Sequence, residues 1–108
     1  MSDATYRFAL PNLYAAQAHK EVTHNEALLR IDGLLHCAVQ SSLQTPPLVS
    51  ATDAGKMWLI DDVPSGEWAE RGKMVAYWTG TAWRYFSPQD GMEIWHRENN
   101  SLLRYTDG

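Results

Sequence analysis

The chain has one cysteine in 108 residues, so Cys37 has no internal partner and no disulfide framework is available. No apolar run approaches the roughly 20 residues that a membrane-spanning helix needs. Met1–Leu10 carries polar and charged positions where a signal peptide has its apolar core. Positive charge is scarce: three Lys and six Arg stand against 13 acidic residues, a formal net charge of −4. The nine cations are scattered, which argues against the basic footprint of a nucleic-acid partner, and the missing apolar run argues against membrane insertion. A Gly-rich phosphate cradle, a Gly-x-Ser-x-Gly elbow and a Cys-x-x-Cys pair are also missing. The expectation is a chain with no catalytic residues, no cofactor and no metal.

Aromatic residues, by contrast, are plentiful. Five Trp, five Tyr and two Phe make up 11% of the chain, far more than a disordered segment carries. A domain of this length buries roughly two-thirds of its unfolded surface, enough for one core without staples.

Thr23-His24-Asn25-Glu26 has the Ser/Thr-x-x-Glu form of a capping box, with Thr23 as N-cap and Glu26 reaching back. With Gly33 as the stop, a helix is predicted over about 24–33, and Ala27, Leu28, Ile31 and Leu35 have the spacing of its apolar face. Leu35, Cys37 and Val39 then alternate with polar or small residues, as in a short strand. Gln44-Thr45-Pro46-Pro47 breaks the pattern and opens a loop to Gly55. Beyond it come short apolar-aromatic runs: Lys56–Ile60, Met74–Thr79, Ala82–Phe86, Met92–Arg97 and Leu102–Tyr105. Thr79-Gly80-Thr81 and Asn99-Asn100 are the tight-turn candidates between them. The reading is an α+β fold with one main N-terminal helix (about 24–33) packed on a small antiparallel β-meander of five or six short strands. It forms a single domain over 1–108, helical in 1–45 and β-rich in 55–108. Tyr105-Thr106-Asp107-Gly108 begins to repeat the earlier Trp78–Trp83 hairpin, so the sequence is expected to be the N-terminal piece of a longer chain.

His19 and His24 flank Lys20–Thr23 but are five apart, which fails the zinc-helix spacing. His36 and Cys37, as strand neighbours, point to opposite faces, and Cys37 reads as a small buried apolar residue. Asp61-Asp62, and Asp90 with Glu93, lack the spacing of a calcium loop and read as solvated charge. Nine of the 12 aromatics fall in the β-rich part. The doublets Tyr77-Trp78 and Tyr85-Phe86 must present rings on both faces of a strand. Trp78, Trp83, Trp95 and Tyr77 are therefore the candidate contact residues for a protein partner or a sugar ring.

Leu10-Pro11 and the run Gln17–Asp32 resemble the opening of a domain of unknown function found near the N-terminus of tail-fibre, tail and spike proteins. Those proteins belong to tailed bacteriophages, prophages and gene transfer agents. Gly55–Ile60, Gly66–Ala69, Ala76–Trp83 and Pro88–Gly91 are similar to its later part. Thr23, His24, Asn25 and Glu26 match its most distinctive motif, while His19 stands where the family pattern has Gln. The resemblance implies a non-enzymatic virion module that attaches or oligomerises a fibre or spike, a homo-oligomer such as a trimer, assembled in the bacterial cytoplasm. A carbohydrate-binding module using surface Trp residues on host-surface polysaccharide is the alternative, and a glycan hydrolase comes third.

Overall fold

The computed structural model describes residues 4–12 and 20–106. His19, most of the run before it, and the closing Asp107-Gly108 lie outside the described residues. The chain divides into two compact units, Met1–Leu35 and His36–Gly108.

In the first unit the expected helix is present as α1, Lys20–Leu34. It already contains Thr23, so the capping-box reading is corrected. An N-cap needs non-helical backbone, whereas Thr23 and Glu26 are exposed positions inside the helix. The predicted apolar face is corrected as well. Ile31 and Leu35 are 49% and 42% exposed, whereas Asn25 and Asp32, seven residues apart and so on one face, are buried.

The cause lies in the loop 4–12. Ala4 and Pro11 form an antiparallel bridge. The Thr5 N–H donates to the Leu10 carbonyl, and the Leu10 N–H donates to the Thr5 hydroxyl. The Asp32 carboxylate then accepts three bonds from this loop: from the Thr5 hydroxyl (2.7 Å), the Arg7 N–H (2.8 Å) and the Phe8 N–H (2.7 Å). In return the Arg7 guanidinium donates to the carbonyls of Asp32, Gly33 and Leu35. The last carbonyls of a helix lack internal partners and favour a cation. The last turn of α1 has no basic residue of its own, and Arg7 supplies one from the loop.

The second unit is built of short strands, turns and two 3-10 helices, Ala51–Asp53 and Gly66–Trp68. Four strands, β2 (Ser42–Leu43), β3 (Met57–Ile60), β4 (Val75–Trp78) and β5 (Trp83–Phe86), form one sheet in the order β2-β3-β4-β5. A second sheet has the order β1-β6-β7, from β1 (Ala38–Val39), β6 (Glu93–His96) and β7 (Ser101–Arg104). The antiparallel hairpins β4–β5 and β6–β7 close at the two predicted turns, the second with Asn100 at φ +51°, a conformation Asn tolerates well. Local sequence signals could not give the two parallel pairings, β1 with β6 and β2 with β3. Through them one short segment serves both sheets: the Trp95 N–H donates to Cys37 O and the Arg97 N–H to Val39 O. A few residues on, the Leu59 N–H donates to Ser41 O and the Asp61 N–H to Leu43 O. His96 reinforces the junction. Its Nδ1 accepts the Asn99 N–H, which leaves Nε2 to donate to Ser42 Oγ at 3.1 Å.

Three strand ends carry the same bulge, two residues opposing one. Trp78 faces Gly55 and Lys56, Tyr105 faces Gly91 and Met92, and Ile60 faces Lys73 and Met74. The first residue of such a bulge is left-handed, and Gly55 and Gly91 suit it at φ +92° and +90°. In the third, Lys73 takes that role at φ +66° although Gly72 is adjacent. Gly72 is needed for a different reason: a Cβ there would lie 2.7 Å from the Asp62 carbonyl oxygen. Gly72→Ala is accordingly expected to cost about 1–3 kcal/mol, and Lys73→Gly to raise stability by about 1 kcal/mol. Urea unfolding of the two variants checks both signs.

Candidate functional site

The candidate contact residues separate once the sheets are in place. In the four-stranded sheet, strand alternation and register put Trp58, Ile60, Ala76, Trp78, Trp83 and Tyr85 on one face. That face packs around Trp83, whose ring centroid is 5.7 Å from Trp58, 5.2 Å from Trp68 and 5.0 Å from Trp78. Four of the five tryptophans thus meet in one cluster. Trp78 lies at its rim, half-buried, with its indole N–H donated to the Ser50 carbonyl at 2.8 Å. The opposite face holds Met57, Val75, Tyr77 and Phe86, all buried, with the Tyr77 and Phe86 rings 5.8 Å apart. The doublets do present rings to both faces, but both faces are covered. Tyr77 and Trp83 are therefore corrected as contact candidates, because a ring that builds the core has no surface to offer.

Tyr85 stands at the edge of the cluster under the Arg71 guanidinium, 4.5 Å from the ring centroid. Burial pushes its phenol above the usual tyrosine range, and the Glu67 charge adds to this, while Arg71 opposes it.

Trp95 is different. The three-stranded sheet buries Val39, Ile94 and His96 on one side and turns Glu93, Trp95, Leu102 and Arg104 outward. Trp95 pairs with Leu102 and Glu93 with Arg104 in the β6–β7 register. Trp95 is 39% exposed and Leu102 56%, while Glu93 and Arg104 form an ion pair of 2.9 Å beside them. Ala38, the register neighbour of Trp95 on β1, is too small to cover the indole from that side. Leu102 and Arg104 were not singled out by the sequence, although period-two alternation of Glu93–His96 against Ser101–Arg104 carries the signal.

The remaining candidates offer less. Asp61 and Asp62 are exposed on an open groove that Lys73, Arg104 and Tyr105 also line. His24 is exposed on α1, and Asn25 is buried on the face that carries Asp32. Cys37 is buried, as a small apolar residue would be. Among the described residues, no group of three or more His, Cys, Asp or Glu is placed to hold a metal ion. No helix among them is long and apolar enough to cross a membrane.

Comparison with known proteins matches residues 24–108 to a family described as "Protein of unknown function (DUF2793)". The match takes in Asn25, Asp32 and the seven strands of the described residues, and leaves out the loop 4–12. No curated protein and no solved structure matches the chain.

Proposed function

Given that this chain belongs to the DUF2793 family, whose description names no activity, we propose that it is a non-enzymatic protein-contact module of a phage or phage-derived particle. Its role in this reading is to attach or oligomerise a tail fibre or spike, with virion proteins and further copies of itself as partners. The virion setting rests on the sequence resemblance of Gln17–Asp32 and the later aromatic motifs. The observation that carries the contact role is the exposed Trp95–Leu102 pair on an otherwise ordered sheet face. Aromatic and aliphatic side chains held on a rigid element lose little conformational freedom on docking, which suits them to anchor an interface.

A second reading, carbohydrate binding, is favoured by the same indole. An exposed Trp flanked by a carboxylate and a guanidinium can stack on a sugar ring and hydrogen-bond its hydroxyls.

Particles assembled with Leu102→Asp are expected to hold about a tenth or less of the wild-type amount of this protein by immunoblot, since burying an unpaired carboxylate opposes docking. Wild-type incorporation of a variant with native near-UV circular dichroism would sink the contact reading. Retention of host polysaccharide that is lost in Trp95→Ala would instead favour the second.

A further inference from the structure

We propose that the outward face of the three-stranded sheet joins two copies of this chain, face to face, about a two-fold axis parallel to β6 and β7. The inference rests on the protein-contact reading above and names the partner as a second copy.

The register supplies the reason. β6 carries an acid and a large aromatic, Glu93 and Trp95, and β7 carries a base and an aliphatic directly opposite, Arg104 and Leu102. All four point outward. A two-fold axis lying over the seam between the strands places β6 of one copy above β7 of the other and leaves positions along the strands unchanged. Trp95 then meets Leu102 of the second copy, and Glu93 meets Arg104 of the second copy. Four charges alternate in sign around the axis, so each ion pair of 2.9 Å within a chain gains an opposite charge across the interface. An axis running across the strands at Trp95 would instead set Glu93 against Arg97 and leave Arg104 over the Asn100 end, without an acidic partner. The parallel axis is thus the one that matches both members of each ion pair, and in that orientation the face is complementary to itself, which is the condition for an isologous dimer.

The same pairing makes a glycan the weaker occupant. The groups that would bind sugar hydroxyls are already committed to each other at 2.9 Å, and the second apolar residue, Leu102, adds no ring for stacking. Only a few side chains form the face, well short of the roughly 20–30 residues a side of a standard interface, so the dimer is weak and concentration-dependent.

Sedimentation equilibrium of the full chain tests this, with native near-UV circular dichroism as the folding control. The wild type is expected to show a reversible monomer–dimer equilibrium. Glu93→Arg and Arg104→Glu each turn the face to a single sign, and each is expected to weaken self-association about tenfold or more. An equimolar mixture of the two variants is expected to recover association, because an all-basic face then meets an all-acidic one. The proposal is overturned by a wild type that stays monomeric to millimolar concentration, by a trimer, by single variants that associate like the wild type, or by a mixture no tighter than its components. Loss of particle incorporation in Leu102→Asp alongside a strictly monomeric wild type would sink the dimer and leave the contact reading standing.

Discussion

Trp83→Ala is expected to destabilise the second unit by about 3–5 kcal/mol from lost burial and the cavity left behind. Each broken aromatic pair adds about 0.5–1.5 kcal/mol. Trp83 is the ring that Trp58, Trp68 and Trp78 all contact, so its removal takes away the common partner of three indoles. Small domains hold only about 5–15 kcal/mol in total, and such a loss leaves a large unfolded fraction at room temperature. Guanidinium unfolding followed by near-UV circular dichroism reads the effect, and a loss below about 1 kcal/mol would contradict the role assigned to the cluster. Trp68 gives a graded comparison. Its indole N–H is buried with no hydrogen-bond partner, so Trp68→Phe removes an unsatisfied donor together with the lost volume. Trp68→Phe is therefore expected to cost less than Trp83→Phe.

Asp32→Ala is expected to cost about 3–5 kcal/mol, the range for removing one partner of a buried charged network. It leaves the Thr5 hydroxyl and the Arg7 and Phe8 amides without the carboxylate they share. Asp32→Asn keeps the shape but turns a donor toward one of these N–H groups, so the expected order of stability is Asp, then Asn, then Ala. Hydrogen exchange distinguishes this from a general loss of packing. The Arg7 and Phe8 amides should lose protection first, while amides in β3, β4 and β5 keep theirs. Equal exchange at Arg7 and Phe8 in wild type and Asp32→Ala would show that the carboxylate does not hold the loop.

The contrast between Trp83 and Asp32 shows what was legible in the sequence. Turns and hairpins were, because Thr79-Gly80-Thr81 and Asn99-Asn100 act within a few residues of themselves. The alternation that sends Tyr77 and Trp78 to opposite faces was legible too. Whether a face is covered was not, since that depends on strands and loops distant in sequence, and so Trp83 and Tyr77 passed for surface residues. The helix itself was legible, but its buried face was not, for the same reason. Ile31 and Leu35 had the spacing of a core face, but α1 instead buries Asp32 completely, and its donors come from residues 5–8. A buried carboxylate leaves no apolar signature and is recognised only when the donors that surround it are located.

The segment from Cys37 to Leu43 has a mechanical consequence. It pairs in parallel with β6 through its first half and with β3 through its second. Tension applied along a strand so placed loads its cross-strand bonds together, whereas tension at the end of a hairpin peels them one at a time. A pull entering the second unit at His36 therefore loads the β1–β6 bonds first and reaches the β2–β3 bonds only through them.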